Sequence, residues 1–108
     1  MKMIEYEDFK KSDMRIGRIV GVEKIKRAKK LYKIKVNLGD KTIQIVSSLI
    51  DYYSEDELLE KDIVVLTNLK PVKFSGEISE GMLLCAENGK DCVLLTVDKK
   101  IELGSRVT

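Results

Sequence analysis

The chain has no histidine and no tryptophan, and only one proline and two cysteines in 108 residues. Without histidine it has no Ser-His-Asp or Cys-His arrangement, no imidazole metal ligand and no histidine pH switch. Cys85 and Cys92 are not in CxxC spacing, and no other thiolate or imidazole stands near them to complete a zinc site. Both lie in apolar runs, MLLCA and CVLLTV, and read as buried reduced thiols. No metal site and no cofactor is expected. No run approaches the ~20 apolar residues of a membrane span. The start, MKMIEYEDFKK, lacks the apolar core of a secretion signal. These readings predict a cytoplasmic location and no membrane partner. A single proline and scattered glycines leave no linker or low-complexity stretch, so residues 1–108 read as one domain.

What is present is mostly strand. YEDFKK fits one turn of amphipathic helix with Phe9 turned inward. From Met14 the pattern becomes extended: Met14, Ile16, Val20 and Val22 share one parity, Gly17 and Gly21 the other, and Ile19 breaks the alternation. Tyr32, Ile34, Val36 and Leu38 alternate cleanly with Lys33, Lys35 and Asn37, giving one apolar and one basic face. Gly39-Asp40 supplies a turn, and TIQIVS returns with Ile43 and Ile45 inward. SEDELLEK is a helix start: Ser54 caps the first turn, Glu57 completes a capping box, and the helix ends near Lys61. DIVVLTNL then reads as an apolar strand. KFSGEISEGM, Lys73–Met82, reads as a hairpin turn, GMLLCA and CVLLTV as strands about an ENGKD turn, and IELGSRVT as a last short strand. Five to seven short strands with one helix between the third and fourth fit a small barrel. The predicted fold is all-β: a five-stranded Greek-key barrel of the oligonucleotide/oligosaccharide-binding (OB) type, with that short helix.

The net charge is only +2, but it is segregated. Lys24, Lys26, Arg27, Lys29, Lys30, Lys33 and Lys35 fall within twelve residues, and no acid lies between Glu23 and Asp40. Acids gather at Glu5–Asp8 and Asp51–Asp62. In an OB barrel the junction of the first two strands and the adjoining face take nucleic acid. Lys70 and Lys73 stand on a second loop able to close over that face. The six aromatic residues, Tyr6, Phe9, Tyr32, Tyr52, Tyr53 and Phe74, are mostly assigned to packing, which argues against a broad base-stacking platform. There is no nucleophile–base pair, phosphate loop or metal cluster, so catalytic residues are not expected.

Four segments carry a family resemblance: FKKSDMRIGRIVGVE, KKLYKIKVNLGDKTIQIVSSL, YYSEDELLEKDIVVLTNLKP and KFSGEISEGMLLCA. The sequence resembles the tRNA-binding domain of methionyl-tRNA synthetase C-termini and beta subunits, of endothelial-monocyte-activating-polypeptide-type cofactors and of stand-alone structure-specific tRNA-binding proteins. The resemblance implies extra terminal strands on the OB barrel, and a homodimer that recognises tRNA shape and contributes no catalysis. It would act in trans with a methionyl-tRNA synthetase catalytic subunit, or as a free-standing relative, and raise tRNA affinity. It places Asn68, Lys70 and Lys73 at positions facing RNA, and Ser79 and Met82 at the Ser-x-Gly-Met positions of tRNA contact. Lys30 matches the lysine before the leucine-tyrosine pair, with Lys29 and Lys33 beside it. Asp13 and Arg15 match an element read as mainly structural. Lys29 stands where the family carries an acid, Ile43 and Ser75 where it often carries arginine, and Ser48 where it carries glycine, which raises the question of a positive φ there. The alternative implied by the resemblance is a protein-binding, secretion-chaperone-like dimer of the same fold. That branch carries Phe-Pro-Pro where Leu69-Lys70-Pro71 stands here, and it lacks Ser-x-Gly-Met.

Overall fold

The computed structural model describes all residues, Met1–Thr108. In chain order the elements are α1 (Tyr6–Phe9), β1 (Met14–Lys24), β2 (Tyr32–Asn37), β3 (Thr42–Ser47), α2 (Glu55–Leu58), β4 (Asp62–Leu66), β5 (Val72–Phe74), β6 (Glu77–Ser79), β7 (Met82–Leu83), β8 (Cys85–Glu87) and β9 (Cys92–Leu94). Five strands form one antiparallel sheet in the order β3-β2-β1-β4-β7, while β5-β6 and β8-β9 are separate hairpins. The sheet curls into an all-β, OB-like barrel.

The long β1 makes the curl. Its first half pairs with β4 and its second half with β2. Between Ile19 and Gly21 the register with β2 shifts, leaving Val20 as an extra residue. This bulge explains the broken alternation of the sequence. Ile19 is fully buried in the core, Val20 is exposed, and Val22 packs against the core again. Ile16 is buried outside the main core cluster, where backbone bonds join it to Gly104 and Ser105.

The period-two pattern of β2 is realised without exception: Tyr32, Ile34, Val36 and Leu38 are all buried. Ile43 and Ile45 face them from β3. Ile63, Val64 and Val65 of β4 are buried in succession, because β4 is covered on both faces. Val64 donates to Leu95 and accepts from Leu84, beyond the main cluster. The Tyr32 hydroxyl donates to the Tyr53 carbonyl at 2.8 Å, and the Tyr53 hydroxyl accepts from Leu94 N–H at 3.1 Å.

Several expectations change. α1 buries none of its residues, so Phe9 is not turned into this chain's core. α2 has its capping box but lasts one turn: Leu59 leaves helical geometry and Glu60 takes φ 69°. The terminal segment adds no full strand, only the Arg15–Arg106 bridge and backbone bonds to Met14 and Ile16. The thiols of Cys85 and Cys92 are free and half-buried rather than sealed in the core. Burial, and then Cys92 alongside, pushes the Cys85 thiol up to about 12, so thiolate chemistry is suppressed.

Candidate nucleic-acid interface

The basic edge is built by the segment between β1 and β2. Ala28 N–H bonds Ile25 O, Leu31 N–H bonds Ala28 O, and Ile25 N–H bonds Leu31 O, closing two successive turns. The period of these turns is three. Ile25, Ala28 and Leu31 are half-buried, and Lys26, Arg27, Lys29 and Lys30 are exposed. The sequence IKRAKKL carries this period in plain view, apolar-basic-basic repeated, yet strand and helix periods alone overlook it.

The cations on this edge differ in freedom. No carboxylate lies within ion-pair distance of Lys24, Lys26, Arg27 or Lys29, whereas Lys30 and Lys33 on the same edge are paired. Lys30 is bound to the Asp51 carboxylate at 2.7 Å, with both partners well exposed. Such a surface pair is worth about 0–1 kcal/mol and yields readily to a phosphate. Lys33 is held by Glu23 at 3.0 Å and Glu77 at 3.6 Å. The Glu23 hydrogen bond pushes the Lys33 ammonium above its usual range. Of the three lysines singled out here in sequence, Lys29 is free, Lys30 is loosely held and Lys33 is occupied by two acids.

Lys24, Lys26 and Arg27 line a groove of about 710 Å³ whose opposite wall is Ser75, Gly76 and Glu77. That wall is the tip of the β5-β6 hairpin. Ser75 (φ 49°) and Gly76 (φ 84°) both take left-handed backbone, as a two-residue type I′ turn requires. Ser75 therefore serves the turn at the place where the family often has arginine. Ser48 is not among the positive-φ residues, so its replacement of glycine imposes no strain there.

The hairpin is joined to the barrel through side chains. At the open edge of β3, Gln44 N–H donates to Glu80 Oε1 at 2.8 Å, and Val46 N–H donates to Ser79 Oγ at 3.0 Å. Glu80 N–H returns to Gln44 O at 2.8 Å. Ser79 Oγ in turn donates to Gly81 O at 3.0 Å. The barrel seam is thus closed by hydroxyl and carboxylate groups standing in for strand carbonyls. A Cβ on Gly81 would lie 2.8 Å from the Leu66 carbonyl oxygen. Three of the four residues in SEGM are architecture.

The structure places Ser79, expected at a position of tRNA contact, inside this seam. It is 6% exposed and its hydroxyl is engaged as both donor and acceptor, so it presents no donor to a ligand. Asn68 is also committed: its Oδ1 accepts from Asp13 N–H at 2.9 Å and its Nδ2 donates to Lys11 O at 2.6 Å. It ties the end of β4 to the segment before β1. Arg15 supports the same corner, bonding Asp13 at 2.9 Å and Gly104 O at 3.1 Å, in line with a structural reading of that pair.

Lys70, Lys73 and Met82 remain on the surface. In the hairpin register Lys73 lies opposite Ile78, while Val72 and Phe74 lie opposite Ser79 and Glu77 on the barrel side. Met82 and Lys70 border a smaller hollow with Phe74. Sequence reasoning missed Phe74: it is 43% exposed, not packed in the core. Tyr6, Phe9 and Tyr52 are exposed as well, leaving Tyr32 and Tyr53 as the packed aromatic residues.

A basic edge, a two-sided hairpin and a curled five-stranded barrel agree with what sequence comparison finds. The family model described as "Putative tRNA binding domain" matches residues 14–106. The chain belongs to the tRNA-binding domain family. Across 96% of its length this tRNA-binding domain is 50% identical to the methionine–tRNA ligase of Archaeoglobus fulgidus, and across 97% it is 49% identical to that of Nanoarchaeum equitans. It spans only 16% and 14% of those two ligases. Among solved structures, the domain superimposes on a MetRS related protein from Pyrococcus horikoshii with TM-score 0.94 and 38% identity, each chain fully covered. It superimposes on the CsaA chaperone protein from Picrophilus torridus with TM-score 0.90 and 36% identity, over 98% of this chain and all of that one.

Proposed function

We propose that this chain is a non-catalytic, structure-specific tRNA-binding module that acts in trans. It serves as a methionyl-tRNA synthetase beta subunit or a free-standing relative, and it raises tRNA affinity in the cytoplasm. The observation that carries this reading is the set of unpaired cations on one short double turn, Lys26, Arg27 and Lys29, with Lys24 beside them; of these, Lys24, Lys26 and Arg27 face the hairpin tip across an open groove. Phosphates neutralised there release counterions, and that release drives binding. The exposed apolar N-terminal side chains, Met1, Met3, Ile4 and Tyr6, support a homodimer in which a second copy covers α1.

The test is titration with unfractionated tRNA and with a fully paired RNA duplex over a range of salt. Six neutralised phosphates give a log–log slope of roughly −4 to −5. A flat slope, or equal affinity for the duplex, overturns the proposal. Supplying the chain to a methionyl-tRNA synthetase that lacks such a domain should lower KM for tRNA more than it changes kcat.

A second reading is a protein-binding dimer of the same fold. The likeness to the CsaA chaperone protein supports it. It prevails if the chain keeps a denatured client in solution and does not bind tRNA.

A further inference from the structure

Between the end of β3 and the β5-β6 hairpin lies a hollow of about 280 Å³. Its apolar lining comes from three separate segments: Leu31, Val46, and Leu69, Val72, Phe74 and Met82. The last four are each left about half exposed, 43–48%. Large apolar side chains that converge on one hollow while half wet mark a binding site rather than scattered surface. The remaining lining is polar or small, with Lys70, Ser47 and Ser48 among it, and it includes no acid. Lys30 borders Ser47 and Ser48 on the adjoining surface. Leu31 is the last residue of the basic double turn, so this hollow continues the cationic edge.

We infer that this hollow receives one unstacked nucleobase of a bound RNA, whose flanking phosphates lie on Lys70 and the basic double turn. The inference rests on the tRNA-binding reading above and names the element of RNA that the domain grips. The chemistry fits a nucleotide on both counts. A base offers a flat apolar face to Phe74 and Met82 and polar edges to the serine hydroxyls, and its phosphates need cations: Lys70 on a lining without acids, and Lys30 beyond it, whose exposed pair with Asp51 yields to a phosphate. An apolar peptide would use the floor and leave the rim unanswered. A paired A-form helix keeps its bases stacked, so the occupant comes from a loop, bulge or end. The domain thus reads two features of one RNA: charge along the double turn and a splayed base beside it.

Full-length wild type, Phe74→Ala, Leu69→Ala and a Lys26→Gln/Lys29→Gln double variant are titrated with unfractionated tRNA. They are also titrated with an RNA stem-loop carrying 2-aminopurine in its loop. Thermal melts confirm that each variant is folded, and Leu69→Ala, on a different segment, stands in if the hairpin variant is not. Loss of base stacking weakens binding roughly 5- to 150-fold, so Phe74→Ala should do so with an unchanged salt slope. Wild type should change the 2-aminopurine fluorescence and Phe74→Ala should not. The lysine variant should flatten the salt slope and keep the fluorescence change at saturation. If tRNA binds but Phe74→Ala and Leu69→Ala bind as wild type does, the base-receiving hollow is overturned and the tRNA reading stands. Failure of wild type to bind tRNA overturns both. Phe74-dependent binding of an apolar peptide, with tRNA binding independent of Phe74, assigns the hollow to a peptide instead.

Discussion

Lys24–Leu31 and Ser79–Met82 both carry candidate RNA contacts, and they are built in opposite ways. In the first, apolar residues at every third position anchor two turns by their own backbone bonds, and the cations between them point away from the fold. Removing Lys26, Arg27 or Lys29 leaves no partner unsatisfied, and Lys30 gives up only its exposed pair with Asp51. In the second, the side chains complete the barrel. Ser79 and Glu80 satisfy two N–H groups of β3, and Gly81 lets the chain pass against Leu66. Only the Met82 side chain has no part in the seam. A segment rich in polar residues is therefore a reader in one place and a fastener in the other. What separates them is whether the polar atoms already have partners.

The sharpest break of this comparison is at the seam. Ser79→Ala leaves the Val46 N–H buried without a partner, which costs about 1–3 kcal/mol. Gly81→Ala drives a methyl group into the Leu66 carbonyl and costs about as much, because backbone rather than a flexible side chain must move. Urea unfolding should show both losses, while tRNA affinity of the folded fraction stays near wild type. If Ser79→Ala unfolds at the wild-type midpoint and binds tRNA weakly, the segment is a reader after all.

The reverse pattern is expected of the double turn. Replacing Lys26, Arg27 and Lys29 together by glutamine should leave stability within about 0.5 kcal/mol of wild type. The log–log salt slope for tRNA should shrink by roughly 2–3, near one unit for each phosphate no longer neutralised. A variant with an unchanged slope would show that these cations do not meet phosphates.

How far these differences are legible in sequence depends on how far apart the interacting residues lie along the chain. The alternation in YKIKVNL identifies β2 because the burial period is local, and Ile19 announces the Val20 bulge because it breaks that period. Ser54 and Glu57 form their capping box within four residues. Ser79 cannot be assigned in this way. Its partner, Val46 N–H, is 33 positions away on another strand, and a serine in a hairpin looks the same whether exposed or closing a barrel. Asn68 is similar, with its partner N–H 55 positions distant. Residue type alone assigns Phe74 to packing, but its strand is short and lies outside the main sheet, so its ring stays partly wet. The pairing of Lys33 with Glu77 likewise depends on the hairpin folding back toward β2.

A third charged segment tests whether charge in this chain signals a ligand at all. Ser54-Glu55-Asp56-Glu57 is as densely acidic as the double turn is basic, yet its charges serve α2. Glu57 N–H donates to Ser54 Oγ at 3.2 Å, and Ser54 N–H donates to Glu57 Oε1 at 2.8 Å. The Ser54 backbone bond, then its hydroxyl, holds the Glu57 carboxyl below its usual range. A carboxyl depressed by folding contributes stability above its unfolded pKa, and that contribution is lost as pH falls through the folded value. Ser54→Ala should therefore cost about 1 kcal/mol at neutral pH. Glu57→Gln should cost less, and its difference from wild type should vanish as the medium is acidified below the carboxylate range. Neither change should alter the salt slope for tRNA, since α2 plugs the core through Leu58 and its acids repel phosphate. A shift in that slope would place the acidic segment at the RNA surface, and the division between reading and fastening charges would have to be redrawn.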